Sequence, residues 1–174
     1  MKIATAAAVA AALLVAAPAF AAAPANSSNG AREAQDRAEI AELMWNYTRA
    51  LDTLNAEAYV RAYTPDGAFG KTKGRDALHK MVTDLQKSQA ERTAKGEPRG
   101  GMYHIETNEH IEFTDHDHAK YHYYWMTVFG AAQGAPAGTA ARIAAVGHGV
   151  DDLVRVNGKW LIKFRNVSPE AGQD

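Results

Sequence analysis

Two side chains in this sequence have the types that together make a general base. His104 lies in the alternating stretch Met102-Tyr103-His104-Ile105-Glu106-Thr107-Asn108-Glu109-His110-Ile111-Glu112-Phe113, and Asp52 closes a helical pattern far upstream. A carboxylate that receives the Nδ1 proton of an imidazole fixes its tautomer and leaves Nε2 able to take a proton from a substrate. Each residue also has an ordinary use. A histidine on a half-buried strand is commonly satisfied by its neighbours, and a carboxylate at a helix C-terminus can be solvated, although the helix dipole disfavours negative charge there. The one local cluster with metal-ligand chemistry is Asp115-His116-Asp117-His118. Adjacent residues point in alternating directions and the stretch falls at a hairpin tip, so a solvated turn is expected and no metal or other cofactor is assigned. His79 and His148 have no evident partner in sequence and are expected to be structural.

The elements that must bring Asp52 to His104 are legible in the apolar periodicity. Ile40, Leu43, Met44, Tyr47 and Leu51 recur at three and four, the stripe of a helix lying on a core, in a helix that begins near Asp36. At about 100° per residue, Ala41, Trp45, Thr48 and Asp52 form a second row beside that stripe, which leans Asp52 inward. A second helix follows, with Asn55 as cap, Glu57 in its first turn and Tyr59, Val60 and Tyr63 as its apolar face, ended by Thr64-Pro65-Asp66-Gly67. A short strand around 68–71 and a third helix marked by Leu78, Met81, Val82 and Leu85, running to about Ala94, complete the first half.

Beyond the 95–101 loop everything is strand-like: 102–113, 119–130, 139–156 and 159–167, the last two joined through Asn157-Gly158. Helices first and an antiparallel sheet afterwards make an α+β domain. Strict alternation puts Met102, His104, Glu106, Asn108 and His110 on one face and Tyr103, Ile105, Thr107, Ile111 and Phe113 on the other. His104 then shares its face with polar groups unless a bulge intervenes. In the next strand Tyr121, Tyr123, Trp125, Thr127 and Phe129 alternate with Lys120, His122, Tyr124, Met126 and Val128. Both faces are rich in apolar groups, as expected when one lines a cavity and the other meets a second subunit, so a homodimer or homotrimer is expected.

Compartment and partners follow from the ends and the charge. Lys2, the apolar run from Ile3 to Val15, Pro18 and Ala19-Phe20-Ala21 make the charged start, hydrophobic middle and small-residue cut site of a secretory signal at 1–21. The run is too short to span a bilayer well, and no cysteine is available for lipid attachment at the cut. Residues 22–31 have the composition of a disordered leader, 32–167 form one domain, and 168–174 are a tail. A chain without cysteine has neither disulfides nor thiolate metal sites and depends on apolar packing. With 20 acidic against 19 basic residues there is no electrostatic case for nucleic acid or for an anionic membrane, and stable membrane insertion after cleavage is not expected. Small molecules and protein partners fit better, in the periplasm or the medium.

The stretches Asp36-Arg37-Ala38-Glu39-Ile40, Ala50-Leu51-Asp52, Tyr63-Thr64-Pro65-Asp66-Gly67, His104-Ile105-Glu106-Thr107-Asn108, Leu153-Val154-Arg155 and Gly158-Lys159-Trp160, in this order, resemble the SnoaL-like branch of the nuclear transport factor 2-like superfamily. That branch includes scytalone dehydratase and γ-hexachlorocyclohexane dehydrochlorinase. The resemblance implies a cone-shaped α+β barrel, three N-terminal helices packed on a curved antiparallel sheet. It implies that Asp52 orients His104, which removes a proton in a β-elimination. Arg165 aligns with a pocket arginine, able either to stabilise developing negative charge or to serve as a cross-strand partner of Glu or Asp. Phe69 aligns with an aromatic wall residue. Phe129 replaces the dehydratase's second histidine, Tyr47 replaces the dehydrochlorinase's pocket lysine, and Gly147 and Gly149 stand where the dehydratase has polar side chains, so neither substrate chemistry carries over intact.

What remains is one base, one cation and a wall of Tyr47, Phe69, Tyr123, Trp125, Thr127 and Phe129, suited to a small hydrophobic or aromatic ligand. Two functions stay open: a cofactor-free lyase or isomerase using His104 and Asp52, or a protein that uses the same cone to bind a ligand or assemble. The signal pattern yields the first prediction. N-terminal sequencing of the native protein is expected to begin near Ala22, and recovery of Met1 removes the export assignment.

Overall fold

The first apolar stripe forms α1, Ala25–Asp52, which starts well before Asp36 and takes in part of the expected disordered leader. Ion pairs and hydrogen bonds one turn apart, Arg37 to Glu33 at 2.7 Å and Gln35 to Glu39 at 2.8 Å, continue the helix through this exposed segment. The structure is a computed structural model, and it describes residues 25–97, 100–132 and 134–168. The expected signal, 1–21, and tail residues 169–174 lie outside the described residues. Ile40, Met44, Tyr47 and Leu51 are buried as the periodicity requires. The row beside them turns inward only at its C-terminal end, because Trp45 is 62% exposed while the Asp52 side chain is 7% exposed.

α1 ends in a backbone motif that fixes the direction of Asp52. Leu54 adopts φ 52°, the Asn55 N–H reaches the Ala50 carbonyl at 2.8 Å, and the Leu54 N–H reaches Leu51 at 3.0 Å. This is a Schellman closure with leucine in place of the usual glycine, a left-handed conformation that burial of the Leu54 side chain offsets. Asn55 then caps α2, Ala56–Arg61, accepting from the Ala58 N–H at 2.9 Å. Thr64-Pro65-Asp66-Gly67, expected to terminate α2, belongs instead to β1, Tyr63–Phe69. The strand is irregular there, its register shifting between Tyr63 and Ala68, so a proline lacking a donor is tolerated, and Gly67 lets the backbone approach the Ile162 carbonyl, which a Cβ would meet at 2.9 Å. A turn at Gly70 leads to β2, Thr72–Lys73, and then α3, Arg75–Ala94, with Leu78 and Val82 buried.

The second half forms β3 (Met102–Phe113), β4 (His118–Phe129), β5 (Arg142–Val156) and β6 (Lys159–Asn166), with left-handed Asn157 and Gly158 making the last hairpin. The six strands run in the order β2-β1-β6-β5-β4-β3 and do not close into a barrel. The sheet was expected to be antiparallel throughout. One pair, β1 with β6, is parallel, because β1 is reached from α2 and joins the sheet beside the chain's last strand.

Two bulges decide which residues enter the cone. Between Thr107 and His110 the pairing of β3 with β4 shifts, with Asn108 at φ 53°, so Met102, His104 and Glu106 face inward before the bulge and Ile111 and Phe113 after it. Asn108 and His110 therefore leave the face that alternation assigned them with His104. In β6 the register against β5 shifts at Lys163, which keeps Trp160 and Ile162 inward and also turns Arg165 inward. Buried Tyr47, Tyr59, Tyr63, Tyr121 and Tyr123 fill the interior between helices and sheet. Asp36, 6% exposed, pairs with Arg155, whose guanidinium lies 4.7 Å from the Trp160 ring, tying α1 to the sheet. On the outer face Tyr103, Ile105, Tyr124, Ile143 and Val146 are exposed.

The glycines of β5 are space for aromatics. Trp125 leans across Gly147 and donates from Nε1 to the Val167 carbonyl at 2.9 Å, and Tyr123 leans across Gly149. A Cβ at Gly147 would sit 2.6 Å from the indole. Gly147→Val is expected to destabilise the protein by about 1–3 kcal/mol through this overpacking, measured by urea unfolding, whereas a loss under about 0.5 kcal/mol refutes the packing account.

Candidate active site

Asp52 and His104, distant in sequence, meet where the end of α1 crosses the start of β3. Asp52 Oδ1 accepts from His104 Nδ1 at 2.8 Å and from the His104 backbone N–H at 2.9 Å. The double contact holds ring and strand against one carboxylate oxygen. Arg49 approaches the other oxygen at 3.7 Å. In the tautomer that donates from Nδ1 to the carboxylate, Nε2 carries the lone pair and can take a proton. The unfavourable position of a negative charge at a helix C-terminus is thereby explained by what it holds.

A cavity of about 120 Å³ opens beside Asp52, lined also by Met102 and Phe129 from the sheet and by Leu85, Gln89 and Arg92 from α3. At roughly 30 Å³ per water, this is room for a few waters or a small functional group. A larger concavity, about 810 Å³, lies elsewhere, between α1, α2 and the start of β6, lined by Glu42, Arg49, Arg61 and Trp160 among others. It is an open groove that neither Asp52 nor His104 lines.

The structure places the remaining expected site residues differently. Thr127 pairs with His104 across the strands, and Trp125 pairs with Glu106. Phe129 lines the cavity, and Phe69 is partly buried against the core. Tyr47 and Tyr123 were expected as an open wall with Arg165 facing the same space. Both are instead core residues, packed against Arg165 with its guanidinium 4.1 Å from the Tyr47 ring and 4.6 Å from that of Tyr123. Of the two roles open to Arg165, the structure shows the carboxylate partner: its Nη1 bonds Asp151 and its Nη2 bonds Glu106, at 3% exposure. A buried guanidinium needs such partners, and they take it away from a ligand.

Asp151 and Glu106 are the residues that pattern reading missed. A carboxylate inside the apolar Gly149-Val150-Asp151-Asp152-Leu153-Val154 run, and a second on the His104 face, were the available signals. Asp151 also accepts from the Tyr123 hydroxyl at 3.1 Å and from the Asn166 N–H at 3.0 Å. Burial pushes Asp151 up to about 7 against the pull of Arg165, and burial likewise raises Glu106. Arg165 stays charged: burial works against its cation, and the neighbouring carboxylates outweigh that. Burial raises Tyr47, Tyr59, Tyr63, Tyr121 and Tyr123, which act as neutral hydroxyls.

Against known proteins, residues 32–166 match the SnoaL-like domain model. The chain belongs to the SnoaL-like family. Solved structures of similar fold include a nuclear transport factor 2-like protein with a cystatin-like fold from Novosphingobium aromaticivorans, 21% identical, TM-score 0.65, covering 86% of this chain and 92% of that one. A scytalone dehydratase-like protein from the same organism is 18% identical, TM-score 0.61, covering 83% and 99%. A Catenulispora acidiphila protein in complex with S-DNPA is 22% identical, TM-score 0.59, covering 78% and 93%. No curated protein matches this SnoaL-like chain by sequence. At these identities the solved structures establish the fold of the SnoaL-like domain and leave its chemistry to the site.

The proton that Asp151 and Glu106 share, both carboxyls being raised by burial, has a stability consequence of definite sign. A group whose folded value, about 7, exceeds its ordinary 3.8 stabilises fully below pH 3.8 and loses that contribution as pH rises through about 7. Wild-type protein should therefore lose unfolding free energy between about pH 4 and 7, at up to roughly 1.4 kcal/mol per pH unit. Denaturant unfolding of Asp151→Asn at both pH values should show a smaller loss, and an identical pH slope in the two proteins contradicts the assignment.

Proposed function

We propose that this SnoaL-like protein is an exported, cofactor-free lyase or isomerase in which His104 abstracts a carbon-bound proton from a small hydrophobic or aromatic substrate and Asp52 holds the imidazole in position. The observation that carries this reading is the two-point hold on the ring and backbone of His104 by Oδ1 of Asp52, which itself lines a cavity. Similarity to a scytalone dehydratase-like protein and to one complexed with a small molecule supports it. A carbon acid is the fitting partner for an imidazole held through Nδ1, and Phe129 at the cavity suits an apolar or aromatic body.

A specific observation favours a second reading, that of a binding or assembly protein. The interior of the cone is filled by tyrosines, with Tyr59 and Tyr63 each 0% exposed and their hydroxyls 3.0 Å apart, and the cavity at Asp52 is smaller than the roughly 300 Å³ usual for a ligand site. Catalysis on a substrate of that size requires α3 to stand further from β3.

Exchange of α-hydrogens into D2O, followed by proton NMR across a panel of aryl ketones and aryl β-hydroxy ketones, separates the two. Wild-type protein should catalyse exchange. His104→Ala should abolish it and Asp52→Asn should lower it on the order of 10²-fold without unfolding the domain. Near-wild-type exchange by His104→Ala sinks the mechanism, and binding without any exchange in wild type selects the second reading.

A further inference from the structure

The centre behind His104 has one cation and two anions. Arg165 at 3%, Asp151 at 0% and Glu106 at 6% side-chain exposure are linked directly, so full ionisation would bury a net negative charge. The rings packed around them belong to neutral tyrosines, which supply hydroxyl donors and no charge. Of the other groups acting on Glu106, Glu109 is exposed and favours its neutral form, and His104 favours its ionised one. An uncompensated buried charge is relieved by taking up a proton, and two carboxyls on one guanidinium share it as a pair.

Counting donors locates the proton. Asp151 accepts from Arg165, from the Tyr123 hydroxyl at 3.1 Å and from the Asn166 N–H at 3.0 Å, three donors that favour its ionised form against the burial that raises it. Glu106 accepts from Arg165 through one oxygen, and its other oxygen has only the Tyr121 hydroxyl at a long 3.5 Å. The second oxygen of Glu106 is therefore where a proton is best held. Burial raising both carboxyls agrees with the uptake.

Glu106 also stands in a useful place. It lies two residues beyond His104 on the same inward face of β3, a separation of about 6.5 Å along a strand. A C–H and a C–O on adjacent carbons, each within hydrogen-bond reach of its partner, need acid and base at about that spacing. We propose, on the reading that His104 is the base, that Glu106 rests protonated and is the acid that protonates the departing oxygen of a β-hydroxy carbonyl substrate. The C–H proton passes to His104 Nε2, the C–H electron pair becomes the new C=C bond as the C–O bond breaks, and the oxygen leaves with the Glu106 proton as water. Transfer of the His104 proton to the Glu106 carboxylate through solvent restores both residues.

Two measurements on the full mature protein test this. In carbon-13 NMR with labelled glutamate, the Glu106 carboxyl should keep its neutral-acid shift at pH values above the ordinary glutamate range, and in Asp151→Asn it should ionise at a lower pH because Arg165 then serves it alone. An ionised Glu106 throughout, or no change in Asp151→Asn, overturns the proposal. With the aldol adduct of acetone and benzaldehyde as probe, Glu106→Gln should slow dehydration, read by enone absorbance, by on the order of 10²-fold and by far more than it slows α-hydrogen exchange. Parallel losses of both mean that Glu106 only supports the site, which also overturns it. Absence of exchange in the wild type is a different failure: it removes the base on which the acid depends, whatever the NMR shows of Glu106.

Discussion

The buried guanidinium of Arg165 is the constraint from which the rest of the interior follows. A cation that cannot be deprotonated is nearly without solvent, so its surroundings must supply anions in reach and polarisable rings against its faces. Asp151 and Glu106 provide the first, Tyr47 and Tyr123 the second. Those four residues come from α1, β3, β4 and β5, and Arg165 itself from β6. One side chain thus draws the helical layer and four strands to a single point, and the space that an aromatic-lined pocket would occupy becomes the packing of that point.

The arrangement depends on two irregularities in the sheet. Without the bulge in β3, an inward Ile111 and Phe113 would require an outward His104 and Glu106, and without the one in β6, an inward Trp160 and Ile162 would require an outward Arg165. Each bulge lets a strand serve the apolar core along one part and the polar centre along the other. The small residues of β5 answer the same need, because Gly147 and Gly149 leave room for Trp125 and Tyr123 to lie across the strand.

The candidate site draws on the same geometry. His104 and Glu106 sit on the inward part of β3, one held by Asp52 from the helix layer and the other by Arg165 from the sheet. The two supports are independent. Asp52 owes its place to the leucine-closed end of α1, Arg165 to the bulge at Lys163. The motifs divide accordingly: Asp52 and His104 form the candidate site, whereas Asp36 and Arg155 fasten α1 to the sheet.

By itself the sequence determined the three helices, the four long strands and the Asn157-Gly158 turn, because these are written in local periodicity and backbone preference. It also singled out Asp52 and His104, through their types and the order of motifs around them. Only the tertiary structure decided what fills the cone. Alternation has a period of two, and a single extra residue inverts it, so the inward turn of Arg165 and the departure of Asn108 and His110 from the His104 face could not be read from pattern. The same holds for Asp151 and Glu106, whose chemistry comes from losing water and sharing one cation, a property of neighbours that meet only when the sheet is assembled.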